Sequence, residues 1–313
     1  MQSNVFGFTL LSIIAITVGA PAQAQNGSLS RSFVSSAGVD SNPCTITQPC
    51  ATFAQAYAKV GANGIVAALD PGKYGPVNIT SPVTINGNGW AAITGLASSY
   101  AINVNIQTGT GNVILTGLEI DGVGSAANGI FFTSGGSLTV VDSAIRNFTN
   151  DGILMPNPAG NETVSILNTI ASNNTHDGIE IQGIGLISGT FQHSTTESNG
   201  HNGVTASGAS INIVGSTSNN NGNDGFYVSE DFAPQPYFNT ARDCTASGNG
   251  NAGFHAENKG YIWFAHSTTT LNHYGVYING QSVIYSFGDN HVGGNATDMG
   301  GSIVSFDTSH HLQ

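Results

Sequence analysis

The sequence is poor in charged residues, and positive charge is the scarcest kind. Only 8% of its 313 residues are charged, against roughly 25% in ordinary soluble domains. Three lysines and three arginines stand against 18 acidic residues, for a formal net charge of −12. A chain with so few cations has no basic patch for phosphates, which argues against nucleic acid as a partner. The same scarcity argues against a strongly anionic polysaccharide unless a bound cation intervenes.

Long hydrophobic runs are also scarce, and the only one lies near the start. FGFTLLSIIAITVGA is followed by Ala22-Gln23-Ala24, a small-x-small cleavage site. We predict a signal peptide over residues 1–24. A membrane anchor is the alternative, but the run is short for a spanning helix of ~20 residues. We therefore expect a secreted, periplasmic or cell-surface protein, a monomer, with no transmembrane segment after cleavage.

Cysteine is the third scarce residue, with three in the chain. Cys44 and Cys50, in NPCTITQPC, are close in sequence and bracketed by prolines, which predicts a disulfide in an oxidising compartment. Cys244 has no evident partner. It is either a reactive thiol or a small core residue.

Glycine is abundant, and much of it is periodic. The chain contains 42 glycines, and its 39% hydrophobic residues argue against disorder. One set of glycines recurs every 22 to 28 residues: Gly129, Gly152, Gly178, Gly203, Gly225, Gly253 and Gly275. Small residues recur eight or nine positions ahead of them: Ser143, Thr169, Ser194, Ser216, Cys244 and Ser267. Such a repeat predicts an all-β solenoid of about ten coils over residues 76–313.

Each repeat predicts the direction of its side chains. After the glycine, alternate residues point inward with period two. The first inward column is Ile130, Ile153, Ile179, Val204, Phe226, Phe254 and Val276. The second is Phe132, Met155, Ile181, Ala206, Val228, Ala256 and Ile278. Cys244 falls in the small-residue column, which favours its core interpretation.

Polar residues repeat as well. Four positions before the glycines stand Asn174, Asn199, Asn221 and Asn249, which predicts a ladder of amides along the solenoid. Asp or Asn before five of the seven glycines indicates a corner with left-handed backbone, formed by solvated turns.

The N-terminal section has a different pattern. ATFAQAYAKVGANG places Phe53, Ala56, Tyr57 and Val60 on one helical face. We predict that residues 25–75 form a cap of strand, amphipathic helix and strand that covers the open end of the solenoid.

This section resembles the opening of the right-handed parallel β-helix superfamily, the pectate-lyase-like fold. The matching residues are Pro71, Gly72 and Tyr74, followed by VNITSPVTINGNG at 77–89. With the repeats, the resemblance covers nearly all of residues 30–310. It implies a right-handed parallel β-helix, and the superfamily includes lyases, hydrolases, epimerases, adhesins and phage-tail proteins.

The catalytic motifs of that superfamily are incomplete here. NTHDG at 174–178 is similar to a polygalacturonase motif, but His176 interrupts it, and no Asp-Asp pair or Arg-x-Lys follows. The resemblance to pectate lyases implies an Arg or Lys base beside calcium-binding carboxylates. Arg242 is the arginine that we retain as a candidate for substrate binding.

Stacked coils turn sequence columns into surface patches. One outward column reads Glu180, Thr205, Tyr227, His255 and Tyr277, and Glu257 lies two residues beyond His255. Aromatic rings beside carboxylates suit a sugar, and the insertion EDFAPQPY at 230–237 is placed to wall a groove. We predict glycan binding by Glu180, Tyr227, Tyr237, Tyr277 and Arg242. If the groove is catalytic, Glu257 pairs with Glu230 or Asp231 as acid and base, with His255 in support.

The corner column contains Asp151 and Asp177, which stacking would place ~5 Å apart. Like charges at that distance recruit a cation, so calcium binding is a hypothesis beside that of a solvated turn. Two functions stay open. One is a secreted protein that binds and processes polysaccharide, as a lyase or glycoside hydrolase. The other is a structural or adhesive protein without enzymatic activity.

Overall fold

The computed structural model describes residues 29–156, 160–230 and 237–301. Side chains of residues 184, 185 and 238 lie outside this description. The predicted signal peptide over residues 1–24 also lies outside the described residues, as does Asp231.

One helix and 27 strands make up the described chain. The helix α1 spans Phe53–Lys59. The strands up to residue 146 are β1 Leu29–Val34, β2 Val60–Ala68, β3 Gly72–Lys73, β4 Val77–Ile79, β5 Val83–Thr94, β6 Tyr100–Asn105, β7 Asn112–Asp121, β8 Asn128–Ser134, β9 Ser137–Val141 and β10 Ala144–Arg146. The middle strands are β11 Ile153–Met155, β12 Thr163–Leu167, β13 Ile170–Ser172, β14 Ile179–Gln192, β15 Thr195–Glu197, β16 Val204–Val214, β17 Thr217–Asn219, β18 Phe226–Ser229 and β19 Phe238–Arg242. The last strands are β20 Thr245–Ser247, β21 Ala252–Glu257, β22 Tyr261–Ala265, β23 Thr268–Thr270, β24 Tyr274–Ile278, β25 Val283–Ser286, β26 His291–Val292 and β27 Thr297–Gly301.

Parallel pairing between successive coils builds three sheets around one core. Sheet 1 contains β4, β6, β8, β11, β14, β16, β18, β21, β24 and β27. Sheet 2 contains β1, β2, β5, β7, β9, β12, β14, β16, β19, β22 and β25. Sheet 3 contains β3, β5, β7, β10, β13, β15, β17, β20, β23 and β26. The long strands β5, β7, β14 and β16 each bend from one sheet into the next.

The result is the predicted right-handed parallel β-helix. It has about nine turns, one fewer than the sequence predicts. Before these turns, the chain between β1 and β2 forms the Cys44–Cys50 disulfide loop and α1. Within the described residues, no helix is long and apolar enough to cross a membrane.

The inward columns are confirmed by the strand register. Ile153, Ile179 and Val204 are in register across β11, β14 and β16. Phe226 and Phe254 continue the column in β18 and β21, with ring centroids 5.0 Å apart. Such a continuous apolar stack removes water from the full length of the coil and is the main stabilising term of the fold.

The asparagine ladder is longer than the sequence predicts. The side-chain amide of each member donates to the amide oxygen of the next at 2.9–3.0 Å, from Asn174 through Asn199, Asn221, Asn249 and Asn272 to Asn295. Because these amides are buried, their hydrogen bonds satisfy polar groups that would otherwise be costly inside the protein.

The prediction that the Asp-Gly corner has left-handed backbone is wrong. Positive φ values occur instead just before the asparagine ladder, at Asn173 (54°), Ser198 (56°) and Asn220 (55°). The repeated glycines serve close approach between coils. A Cβ on Gly178 would lie 2.7 Å from the carbonyl oxygen of Gly203, so only glycine fits without a shift.

The cysteines divide as predicted. Cys44 and Cys50 form a disulfide. Cys244 is buried in the small-residue column, where its amide N–H donates to the Ser267 hydroxyl at 3.0 Å. Burial raises the pKa of the Cys244 thiol to about 11, so the group stays protonated and unreactive.

Helix α1 has the predicted apolar face. Thr52 caps its N-terminus by accepting from the Gln55 N–H at 3.2 Å. Phe53, Ala56 and Tyr57 are buried, where α1 packs against β1, β2 and β4.

Candidate functional site

A groove lies on sheet 1, over β14, β16, β18 and β21. Its volume is about 360 Å³, and we call it the histidine groove after the side chains that line it, among them His176, Glu180, His201, Tyr227, His255 and Glu257. Its main column is the outward column of the sequence. Glu180, Thr205, Tyr227 and His255 are in register on four successive strands.

Three aspartate–histidine pairs connect neighbouring coils beside the groove. In each pair a buried carboxylate accepts from Nδ1 of a histidine one coil later. The pairs are Asp151–His176 at 2.6 Å, Asp177–His201 at 2.7 Å and Asp224–His255 at 2.8 Å. Because Nδ1 donates, Nε2 of each ring is left on the opposite side.

The corner aspartates are buried, whereas the sequence favoured a solvated turn at this position. Asp151 and Asp177 are each 1% exposed. Asp151 also accepts from the Asp177 N–H and from the side-chain amide of Asn128, both at 3.0 Å. Asp177 likewise accepts from the Asn202 N–H at 2.8 Å and from the Thr205 hydroxyl. Buried carboxylates need such a set of donors to remain charged.

His176 and His201 form a stacked pair at the edge of the groove. Their ring centroids are 4.8 Å apart, with an interplanar angle of 7°. The hydrogen bond to Asp151 raises the pKa of His176 to about 9. The hydrogen bond to Asp177 raises the pKa of His201 as well. His176 is therefore a cation at neutral pH, although the formal charge of the sequence counts histidine as neutral.

Glu180 is a third carboxyl group beside that pair, after Asp151 and Asp177. Its oxygen lies 3.8 Å from Nδ1 of His176, and it also accepts from the Gln182 amide. Burial, followed by the charges of Asp151 and Asp177, raises the pKa of Glu180 to about 7. A carboxyl group with this pKa can either donate or accept a proton near neutrality.

His255 lies deeper in the groove, between two tyrosines. Its ring centroid is 5.1 Å from that of Tyr227 and 4.8 Å from that of Tyr277. The residue is 6% exposed, and its Nε2 has no hydrogen-bond partner. An unsatisfied buried nitrogen costs free energy, so the groove offers a ligand an unfilled hydrogen bond.

Glu257 is held by the groove's own residues. One carboxylate oxygen accepts from the Tyr227 hydroxyl at 3.1 Å, and the other accepts from the Asn279 amide at 2.8 Å. Tyr227, His255 and Glu257 are therefore a connected group on two adjacent strands.

The proposed acid–base partners of Glu257 have other contacts. Glu230 accepts from the backbone N–H of Tyr237 at 2.8 Å, and Tyr237 is itself buried. Burial raises the pKa of Glu230. This contact closes the base of the 230–237 insertion. Asp231 lies outside the described residues, so its role stays a prediction.

Arg242 lies on a different sheet from the groove. It belongs to β19 of sheet 2, beside Trp263 and Phe287. The sequence places Arg242 near the insertion, but β18 belongs to sheet 1 and β19 to sheet 2, so Arg242 lies on the neighbouring face. Arg242 is not among the described residues that line the histidine groove, and its role in substrate binding stays a prediction.

Two clusters in the described chain have the donor set of a metal site. One contains His176, Asp177 and His201, and the other contains Asp151, His176 and Glu180, with ligand atoms within 4.8 Å of one another. Calcium prefers oxygen ligands. Here the carboxylate oxygens already accept from protein N–H and O–H groups, so calcium would have to displace an imidazole to bind.

Sequence reasoning identified the column but missed the pairing. Asp224 and His255 are 31 residues apart and belong to adjacent coils. The signal was present in the repeat, since the column of corner aspartates continues at Asp224. Trp263 and Phe287 were not predicted, because the repeated glycines mark the strands of sheet 1 and not those of sheet 2.

Comparison with known proteins supports the fold. No family model and no curated protein matches the chain. Among solved structures, it is similar to pectate lyase Pel9A, with a TM-score of 0.63 and 19% identity over 91% of this chain and 85% of that one. It is also similar to the A-module of the mannuronan C-5 epimerase AlgE4 of Azotobacter vinelandii, with a TM-score of 0.50 and 13% identity over 77% and 91%. At these identities the likeness shows the parallel β-helix fold alone.

Proposed function

We propose that the protein binds an acidic polysaccharide in the histidine groove and cleaves it by β-elimination at a uronate. The observation that carries this proposal is His255, which lines the groove between two tyrosines and whose buried Nε2 has no hydrogen-bond partner. The two solved structures named above are enzymes of pectate and of mannuronan, which are acidic polysaccharides.

The first step needs a base at C5 of the uronate. Asp224 holds the proton on Nδ1 of His255, so Nε2 of the neutral ring has a free lone pair. This arrangement follows the logic of a base oriented by a buried carboxylate. His255 takes the C5 proton, and the electron pair forms the C4–C5 double bond.

The second step needs an acid for the leaving oxygen at C4. Tyr227 lies against His255, and its hydroxyl binds Glu257. As the C4–O bond breaks, the Tyr227 hydroxyl protonates the leaving sugar oxygen. Glu257 keeps the hydroxyl in place, and proton exchange with solvent restores both groups.

Substrate charge is balanced by histidine instead of lysine or arginine. His176 is cationic at neutral pH and lines the groove. Its imidazolium, stacked on His201, binds the carboxylate of a neighbouring uronate. Glu180, with a pKa of about 7, donates a hydrogen bond to the sugar when protonated. The His176 cation thus supplies the positive charge that an acidic polysaccharide needs, although the chain has few lysines and arginines.

Residue variants test the proposal. We expect His255→Gln and Tyr227→Phe each to lower kcat/KM on a polyuronate by at least about a hundredfold. Unsaturated product is measured by ultraviolet absorbance. His291→Gln, at an exposed histidine of β26, is the matched control and leaves the rate unchanged. Cleavage by His255→Gln at the wild-type rate would exclude His255 as the base.

A second function is a binding protein without activity. It is favoured by the absence of any lysine or arginine among the described residues that line the groove. In that case no polysaccharide yields unsaturated product, yet Tyr227→Ala and Glu257→Gln still abolish glycan binding. A hydrolase would differ from both the lyase and the inactive binding protein, because it would release new reducing ends from neutral polysaccharides without forming unsaturated product.

The location and division of the chain are further parts of the proposal. An extracellular polysaccharide as substrate requires export, so we propose that residues 1–24 are removed and that the mature monomer is secreted or held at the cell surface. The Cys44–Cys50 disulfide supports an oxidising compartment. Residues 25–75 then cap a β-helix domain of residues 76–313.

A further inference from the structure

A second concave surface lies on sheet 2, away from the histidine groove. It has a volume of about 370 Å³. We call it the tryptophan cleft, and its main lining residues are Asn212, Val214, Thr240, Arg242, Trp263 and Phe287. Strand β16 connects the two sites, because its first half lines the groove and its second half carries Asn212 and Val214.

Two aromatic rings form the floor of the cleft. Trp263 is 37% exposed and Phe287 is 48% exposed. Their centroids are 5.8 Å apart and their planes are tilted by 40°. Tyr285 is in register with Trp263 on β25, and its ring centroid is 5.4 Å from that of Trp263. Trp263 thus contacts both rings and is still partly exposed. An exposed indole face suits the apolar face of a pyranose ring.

Polar groups surround the rings on the same face. Asn212, Thr240 and Trp263 are in register on β16, β19 and β22. The Thr240 hydroxyl donates to the Asn212 side chain, which leaves the amide donors of Asn212 for a ligand. A sugar needs such polar groups for its hydroxyls.

Arg242 adds a charge to the edge of the cleft. Its side chain is 60% exposed, and its Nε lies 3.3 Å from the Asp243 carboxylate. The two terminal nitrogens remain for a bidentate contact with a carboxylate. Arg146, by contrast, contacts both Glu119 and Asp121. In a chain with three arginines, one placed beside exposed aromatic rings indicates an acidic ligand.

We infer that the tryptophan cleft is a second binding site for an acidic sugar, with the ring stacked on Trp263 and the carboxylate held by Arg242. The choice of ligand rests on the proposed function, while the site is separate from the histidine groove. A second copy of the chain fits less well, because a stable interface needs ~800 Å² per partner and the rings here are bordered by polar residues.

Tryptophan fluorescence reports on the cleft alone. The chain contains two tryptophans, and Trp90 lies on β5 with 47% of its surface exposed. Trp90→Phe therefore leaves Trp263 as the reporter. His255→Gln in the same chain prevents cleavage during the titration. We expect a saturable change of Trp263 emission with oligogalacturonate and a weaker one with its neutral methyl ester.

Two substitutions test the contacts. Arg242→Gln is expected to weaken oligogalacturonate binding by about tenfold, the effect of losing a charge-assisted hydrogen bond, and to leave the methyl ester unchanged. Phe287→Ala weakens both ligands. Tyr227→Ala, in the histidine groove, leaves the fluorescence change intact.

The outcomes separate this inference from the proposed function. If Trp263 emission responds in the His255→Gln chain but the native protein cleaves no polyuronate, the cleft is a sugar site and the lyase proposal fails. If polyuronate is cleaved but Trp263 emission stays constant at saturation, the cleft is not a sugar site. A dimer by sedimentation that Trp263→Ala dissociates would also overturn the inference, because the face then binds a second copy.

Discussion

At the scale of the residue, histidine has different properties at different depths in one groove. His176 and His255 both donate Nδ1 to a buried aspartate of the preceding coil. The side chain of His176 is 43% exposed, and that of His255 is 7% exposed. Water can solvate the His176 cation, whose pKa is raised by Asp151. The buried His255 instead has an Nε2 without a hydrogen-bond partner, which is why we propose it, and not His176, as the group that contacts the sugar.

Glu180 gives a prediction about stability and pH. Burial and two nearby aspartates raise its pKa from 4.5 to about 7 in the folded protein. The unfolded state loses the Glu180 proton first, so this group lowers stability as pH rises from about 4.5 to 7. We expect Glu180→Gln to raise Tm at pH 8 by roughly 2 °C and to leave it unchanged at pH 4.

Calorimetry at both pH values checks this expectation. Glu197→Gln removes a carboxylate from β15 on sheet 3 and serves as the control. His176 remains protonated at pH 8, because its pKa is about 9, and does not confuse the comparison. A Tm for Glu180→Gln below that of the native protein at pH 8 would mean that Glu180 is stabilising as an anion.

At the scale of the element, the corner of each coil depends on close backbone packing. The repeated glycine begins each strand of sheet 1, and the next coil lies directly against it. The asparagine ladder lies on the same corner, where the Asn249 amide nitrogen would be 2.9 Å from a Cβ on Gly225. Sequence and packing agree here, since the ladder needs the space that glycine leaves.

A glycine substitution tests the packing. A Cβ on Gly225 would lie 2.7 Å from the carbonyl oxygen of Gly253, so we expect Gly225→Ala to destabilise the protein by about 2 kcal/mol or more. At Gly293 the nearest atom, on the His291 side chain, would lie at 3.6 Å. Gly293→Ala is therefore the control, with little expected change. Equal denaturation midpoints for both variants would contradict this explanation of the repeated glycines.

At the scale of the whole molecule, the acidity of the chain raises the question of cations. A net charge of −12 attracts calcium without any specific site. A specific site at Asp151 and Asp177, the predicted ligands, must displace the imidazolium protons of His176 and His201. Calcium affinity should therefore rise with pH as the rings lose their protons.

Isothermal titration calorimetry distinguishes the two kinds of binding. We expect the calcium affinity to increase from pH 6 to pH 9.5, past the His176 pKa of about 9, and Asp177→Asn to remove the increase. Glu197→Gln again provides a control on a distant sheet. Tight binding at pH 6 that Asp177→Asn does not affect would place the calcium site elsewhere.

The arrangement of the coils could be read from the sequence because it is periodic. Gly152, Gly178 and Gly203 mark successive turns, and the inward residues follow each one by strand alternation. Strands that carry the same pattern after each glycine pair in register although the coils differ in length, so the core, the asparagine ladder and the column from Glu180 to Tyr277 were all predictable.

The tertiary structure decided which side chains of the coils meet, how deeply they are buried and which of them carry a proton. Asp224 meets His255 because β18 and β21 pair in register on adjacent coils. Burial then sets the proton affinities of Glu180 and His176, and turning of the chain takes Arg242 from the groove to Trp263. Protonation and burial depend on which coil lies beside each side chain and how much water it excludes, and neither quantity is contained in a linear repeat.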